Sequence, residues 1–136
     1  MDITVYLPDE IGARAKKAEL KLSRMLRDAV ELELRHRAAM EELAGDGEEI
    51  LLYLETPDGQ TFEGRFTGSL LCENGKGDQV FVADDERLIA YSERESKYYV
   101  LETDEESLRK SLSNWCDFDG YISAMNQLGY TATVDL

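Results

Sequence analysis

The sequence predicts an α+β protein, with an N-terminal unit of one strand and two helices that is complete only as a dimer. A small antiparallel β-sheet domain with two C-terminal helices follows it. Residues 2–8 alternate polar and apolar side chains and end at a proline, and residues 9–34 repeat apolar side chains at helical spacing. Residues 49–101 contain five short strand-like runs separated by polar turns.

The strand predicted over residues 2–7 has two distinct faces. Its apolar face holds Ile3, Val5 and Leu7, and its polar face holds Asp2, Thr4 and Tyr6. Pro8 ends the strand because it has no N–H to donate to a β-ladder. The next strand begins only after residue 48, so the simplest partner is the same strand of a second copy, related by a two-fold axis. A two-stranded ribbon of this kind fits the DNA major groove.

Two helices are predicted after the strand. The first spans about residues 9–19, and a turn over residues 20–22 leads to Ser23, a good N-cap for the second. In the second helix, Leu26, Ala29 and Val30 repeat with helical spacing and join Ile3, Val5 and Leu7 in a shared dimer core. Glycines at 45 and 47 then break the helix, which predicts domains over residues 1–44 and 45–136.

Residues 2–34 resemble the ribbon-helix-helix DNA-binding family of Arc, MetJ and CopG. The resemblance rests on the alternating strand, the proline stop, the Leu22–Ser23 cap and the later apolar stripe. It implies that Thr4, Tyr6 and Asp2 contact DNA bases, although Asp2 is acidic where the family is usually basic or neutral polar. It also implies that the start of the second helix, at Ser23 and Arg24, binds DNA phosphate, in agreement with the anion affinity of helix N-termini.

The charge is distributed unevenly along the chain. The net charge is −14, yet the first 40 residues have eight Lys/Arg and seven Asp/Glu. Residues 41–136 therefore have seven basic and twenty-two acidic residues. Such a surface repels duplex DNA and weakens non-specific binding. Besides solubility, the acidity indicates either a docking surface for a basic partner or a means of suppressing non-specific DNA binding.

Within residues 45–136, strands are predicted over residues 49–55, 61–71, 79–83, 88–91 and 97–101. Pro57, Asp58 and Gly59 form a hairpin turn, and Gly64 and Gly68 are expected at bulges or bends. A capping box from Thr103 to Glu106 starts one helix, and a second spans about residues 117–128 with Gly129 after it. Residues 131–136 are a candidate edge strand.

The sequence offers little for catalysis, so no enzyme activity, catalytic residue, metal or cofactor is expected. His36 is the only histidine, and its arginine neighbours predict a solvated helix face. Cys72 and Cys116 are expected to be buried or half-buried thiols, because disulfides are rare in cytoplasmic proteins. Five tyrosines are candidates either for a ligand pocket or simply for the core: Tyr91, Tyr98, Tyr99, Tyr121 and Tyr130.

These observations lead us to expect a sequence-specific transcriptional regulator, a repressor that binds double-stranded operator DNA as a cytoplasmic homodimer. Its acidic domain then binds a toxin, as in the antitoxin of a toxin–antitoxin pair, another basic protein, or a small effector. The alternative is a dimeric scaffold whose N-terminal unit does not contact DNA. No signal peptide or membrane-spanning stretch is apparent in the sequence.

Overall fold

A computed structural model describes the backbone of residues 9–136 and the side chains of residues 17–19 and 21–136. A long helix comes first, then five strands, then two shorter helices. In chain order the elements are α1 (Asp9–Gly45), β1 (Glu48–Glu55), β2 (Thr61–Glu73), β3 (Asp78–Ala83), β4 (Leu88–Ser92), β5 (Lys97–Leu101), α2 (Glu105–Trp115) and α3 (Phe118–Gln127).

The observed helix α1 differs from the predicted fold class. It is one continuous helix of 37 residues, where the sequence predicted two helices joined by a turn over residues 20–22. No glycine or proline occurs between Ala13 and Ala44, and a serine inside a helix costs only about 0.5 kcal/mol relative to alanine. Nothing local is therefore strong enough to end the helix at Ser23. The prediction of an N-terminal strand–helix–helix unit was wrong.

The chain divides into two compact units, residues 1–34 and residues 35–136. Helix α1 contributes to both. The first unit consists, in its described part, of the α1 segment up to Leu34. The second contains the rest of α1, the sheet and both short helices. The domain boundary predicted from the sequence lies later, between residues 44 and 45, where Gly45 ends α1.

The five strands form one antiparallel sheet in the order β1-β2-β3-β4-β5, as expected of a meander. Each strand lies where the sequence predicted one, to within a few residues at its ends. The backbone N–H of Glu55 donates to the Ser96 carbonyl at 3.0 Å, which draws the start of the sheet toward the β4–β5 turn. The sheet therefore curls. Its register shift lies between Leu70 and Cys72, not at the predicted Gly64 and Gly68.

The two faces of the sheet have separate hydrophobic cores. The inner face of the curl is lined by Leu52, Leu54, Phe81, Ala83, Ile89 and Tyr91. On the other face, α2 packs on β3 and β5, and α3 packs on β2. This second core includes the fully buried Leu108, Leu112 and Met125. A strand buried on both faces loses the polar–apolar alternation, as β4 does with five consecutive buried residues.

Local capping explains the bounds of the two short helices. Asp104 caps α2 by accepting from the Ser107 N–H, and this hydrogen bonding lowers the pKa of the Asp104 carboxyl. Asp117 caps α3 by accepting from the Gly120 N–H. After α3, Gly129 has the positive φ of 87° that the sequence predicted for a helix-ending glycine. The predicted edge strand over residues 131–136 does not form, since these residues have no regular structure.

Candidate functional site

The first unit exposes an apolar stripe along α1. Its members are large hydrophobic side chains at helical spacing, each more than half exposed: Leu22 (64%), Met25 (58%), Leu26 (68%), Val30 (51%) and Leu34 (60%). They follow one another at intervals of one to four residues and occupy one side of the helix. A contiguous apolar patch of this kind typically marks an interface with another molecule.

The opposite side of the same helical segment carries a basic row, which we define as Lys17, Lys21 and Arg24. The three residues are spaced four and three apart, so they lie on one face, and all three are exposed. With about 3.6 residues per turn, that face points away from Leu22 and Leu26. Residues 14–27 contain six Lys/Arg and one acidic residue. The basic row and the apolar stripe thus lie on opposite sides of one helix, whereas Arg27, three residues before Val30 and seven before Leu34, lies at the border of the stripe.

The residues predicted to read bases lie outside the described part of the chain. These are Asp2, Thr4 and Tyr6, together with the apolar strand residues Ile3, Val5 and Leu7. The other predicted core residues, Leu26, Ala29 and Val30, all lie on α1 and are exposed within one chain. Their participation in a dimer core therefore stays a prediction.

The predicted phosphate anchor at Ser23 and Arg24 does not have the backbone geometry that was expected of it. Both residues lie in the middle of α1. Their N–H groups are therefore inside a hydrogen-bonded helix, whereas anion binding at a helix N-terminus uses the first, unpaired N–H groups. Arg24 keeps an exposed guanidinium, so it can contact phosphate only through its side chain. The basic row was the feature that sequence reasoning missed, although the spacing of its members was visible.

In the second unit, His36 contradicts the prediction of a solvated histidine. It is buried, with 7% of its surface exposed, and its Nδ1 lies 2.6 Å from the Leu128 carbonyl oxygen. Because a carbonyl only accepts, Nδ1 carries the proton and donates. The imidazole also stacks on Tyr130, with ring centroids 4.6 Å apart. His36 therefore anchors α1 to the end of α3 and has a structural role.

The two cysteines also differ from the prediction. Cys72 on β2 and Cys116 after α2 are buried, as expected, but they form a disulfide with Cα atoms 6.0 Å apart. Asn74 reinforces the same junction, because its side-chain amide donates to the Trp115 carbonyl at 3.3 Å and to Asp78 at 2.8 Å. The predicted free thiols were wrong because residues 44 apart in sequence meet where α2 ends against the sheet.

The acidic excess of the second unit stays largely uncompensated. Ion pairs link Arg65 to Glu49 at 3.1 Å, Arg87 to Asp85 at 2.5 Å and Arg109 to Glu105 at 2.6 Å. These pairs engage three of the seven basic residues after residue 40, against twenty-two acidic residues in the same stretch. The surface of this unit is therefore strongly negative.

Four of the five candidate tyrosines have structural contacts. Tyr91 is buried and donates to the Tyr53 carbonyl at 2.7 Å, and burial raises its pKa. Tyr121 donates to the Thr133 carbonyl, Tyr130 stacks on His36, and Tyr99 donates to Glu95, which raises the pKa of Tyr99. Tyr98 lines a cavity at the inner face of the sheet, and Tyr121 also lines a surface cavity beside α2 and α3.

Within the described residues, no group of His, Cys, Asp and Glu side chains is arranged to hold a metal ion. None of the helices in that part of the chain is long and apolar enough to cross a membrane. Comparison with known proteins gives no further guidance, since no family model, curated protein or solved structure matches this chain.

Proposed function

We propose that this chain acts as a homodimeric DNA-binding protein of the regulator class. Two copies associate through the apolar stripe of α1, and the basic rows on the outward faces contact duplex phosphates. One observation carries the proposal: within residues 17–34 the exposed apolar stripe and the basic row lie on opposite sides of one helix. Repression of a specific operator is the role we expect within this class.

The second copy is the natural occupant of the apolar stripe. Every chain carries the same stripe, so a two-fold pairing places each leucine row against its equivalent and removes both from water. Burying a leucine or valine side chain contributes about 1.5–3 kcal/mol, so five such residues per chain supply enough energy for a stable dimer even though each is already partly covered. The stripe spans residues 22–34 and is long enough for a helix–helix contact.

The basic rows then supply the DNA contact. Three cations per chain give six per dimer, and neutralising about six phosphates predicts a slope near −5 for log K against log salt. The acidic second unit opposes binding through repulsion that acts over about 8–10 Å. The six cations of the dimer and the opposing acidity of the second unit together favour moderate affinity for random duplex. Preference for an operator over random DNA therefore depends on further contacts.

The dimeric scaffold is the second candidate function, and the acidic surface favours it. With twenty-two acidic and seven basic residues after residue 40, the second unit is suited to a basic protein partner, a toxin included. In that case α1 only dimerises the chain and leaves DNA unbound. The two functions differ in what the basic row does, and that difference can be measured.

The experiment compares three variants of the full chain by sedimentation and by fluorescence anisotropy on random duplex and genomic fragments. Leu26→Glu should give monomers that stay folded, because Leu26 is 68% exposed in the single chain. Replacing Lys17, Lys21 and Arg24 together with glutamine should leave the dimer intact and abolish most of the salt-dependent DNA binding. The matched control replaces Lys76, Arg94 and Lys97, which are exposed cations of the second unit, with glutamine.

A control variant that loses as much affinity as the basic-row variant would refute the assigned phosphate contacts. A dimeric parent that binds no duplex at low salt would favour the scaffold. A Leu26→Glu chain that still sediments as a dimer would refute the role of the apolar stripe.

A further inference from the structure

A cavity opens at the inner face of the sheet, between β1, β2 and β4, and we call it the ring pocket. Its walls are the apolar side chains of Leu52, Leu54, Phe66 and Ile89, and its volume is about 190 Å³. It lies entirely in the second unit and shares no residue with the apolar stripe or the basic row, so an inference about it is independent of the proposed function.

Gly64 and Leu54 pack against each other at the floor of the pocket. Gly64 on β2 is paired with Leu52 on β1, and its position faces into the curl of the sheet. A Cβ atom at residue 64 would lie 2.8 Å from Leu54 Cδ1, closer than such contacts occur. The Leu54 side chain therefore occupies the position that a side chain at residue 64 would need, and Leu54 and Gly64 together form the apolar floor of the pocket.

The size of the ring pocket fits one aromatic ring. A protein cavity of about 150 Å³ lined by Leu, Ile and Phe side chains binds benzene. At about 190 Å³ and with the same kinds of lining residue, the ring pocket accommodates a benzene ring with one small substituent.

The mouth of the pocket adds two aromatic side chains that the core does not use. Phe62 is 47% exposed and Tyr98 is 50% exposed, and both line the cavity. Phe62 is paired with Leu54, and Tyr98 is paired with the buried Tyr91, so both rings project on the inner face. Aromatic rings at the mouth provide stacked or edge-to-face contacts for a planar ligand.

Arg87 supplies the basic group at the mouth of the pocket. Arg65 also borders the cavity, but it alternates with the inner-face residues of β2 and pairs with Glu49 at 3.1 Å. Arg87 donates from Nε to Asp85 at 2.5 Å, which holds the guanidinium in place, and its fork has further N–H donors. A guanidinium is the side chain best suited to bind a carboxylate through paired hydrogen bonds.

We propose that the ring pocket binds a small aromatic carboxylate. The ring packs on Leu54 and Ile89, between Phe62 and Tyr98, and the carboxylate accepts from Arg87. A ligand of this class is the kind of small molecule that acts as an effector. The proposed site does not depend on whether the chain binds DNA.

The test uses the full chain and three probes: benzoate, benzyl alcohol and acetate. Benzoate supplies ring and charge, benzyl alcohol the ring alone, and acetate the charge alone. Titration followed by amide chemical shifts should show benzoate binding at least about tenfold more tightly than either of the others, since a charge-assisted hydrogen bond is worth that factor or more. The shifts should centre on residues 64, 89 and 98.

Two variants separate the contributions. Arg87→Gln should weaken benzoate about tenfold and leave benzyl alcohol unchanged, whereas Arg94→Gln, an exposed arginine in the next turn, should change neither. Phe62→Ala should weaken both ring-bearing probes, and its fold is checked by Trp115 fluorescence. Benzoate shifts that fall elsewhere, or an Arg87→Gln chain that binds benzoate as tightly as the parent, would overturn the proposal.

Discussion

His36 shows how a single residue acquires a role that its sequence neighbours do not reveal. Arg35 and Arg37 flank it and suggest solvent, yet its ring is buried against Tyr130 and donates to Leu128. The Leu128 carbonyl follows the end of α3, where helix carbonyls lack partners within the helix. His36 satisfies this group from α1 and thereby joins two elements that are distant in sequence.

We expect His36→Ala to destabilise the chain by about 1–3 kcal/mol, because it leaves a buried acceptor without a donor. His36→Asn should recover part of the loss, since its amide can donate at similar reach. Arg35→Ala, at an exposed neighbouring side chain, serves as the control. Urea unfolding followed by the fluorescence of Trp115, the only tryptophan, measures all three. Equal stability of His36→Ala and the parent would remove His36 from its anchoring role.

At the scale of elements, α1 differs most from what the sequence predicted. A helix end at Ser23 needs a cap whose benefit exceeds the cost of ending the helix there, and the surrounding Lys, Leu, Arg and Met residues all favour helix. The continuous helix keeps the leucines of the apolar stripe and the cations of the basic row in one regular register.

Ser23→Ala tests whether α1 is continuous, because a continuous helix and a helix that begins at Ser23 predict stability changes of opposite sign. In a continuous helix, alanine is the better helix former, so the variant should be slightly more stable, by about 0.5 kcal/mol. If Ser23 were an N-cap, the same change would cost about 1 kcal/mol. Thermal unfolding followed by far-UV circular dichroism distinguishes the two signs, with Ser113→Ala in the exposed part of α2 for comparison.

The disulfide between Cys72 and Cys116 makes a second prediction at this scale. It closes a loop over a sequence separation of 44, for which the chain-entropy model gives about 4 kcal/mol of stabilisation. Replacing both cysteines with serine should lower the free energy of unfolding by an amount of that order. A thiol reductant should destabilise the parent and leave the double variant unaffected. If the reductant changes neither protein, the cysteines are not bonded in solution.

At the scale of the whole molecule, charge separates the chain into a basic stretch and an acidic remainder. Residues 14–27 carry most of the cations of α1, while the residues after 40 carry a fifteen-charge acidic excess. In the proposed function, the acidic surface limits non-specific DNA binding by repulsion.

Neutralising part of this acidity should therefore strengthen binding to random duplex. We expect replacement of Glu48, Glu63, Glu73 and Glu102, all exposed, with glutamine to raise non-specific affinity at low salt. The gain should shrink as salt rises, because screening shortens the range of the repulsion. The same four positions changed to aspartate keep the charge and serve as the control. Fluorescence anisotropy over a salt series measures both, and an unchanged affinity of the glutamine variant would contradict this role of the acidic surface.

The sequence by itself determined the features that depend on local signals. Short strand-like runs separated by polar turns located the five strands, Gly59 and Gly129 marked positions of positive φ, and glycines 45 and 47 ended α1. These features follow from backbone sterics and capping within a few residues, which sequence reasoning can evaluate. The helical spacing of the α1 residues was equally visible in the sequence, but the basic row was not predicted from it.

Only the tertiary structure decided which distant residues meet. The burial of His36 depends on Leu128, 92 residues away, and the bond between Cys72 and Cys116 depends on α2 ending beside β2. The ring pocket exists because the curled sheet brings side chains of β1, β2 and β4 around one space. A difference in helix propensity of about 0.5 kcal/mol, such as that between serine and alanine at Ser23, is smaller than the energy of tertiary packing. Packing of buried surfaces therefore decides where the helices and strands begin and end.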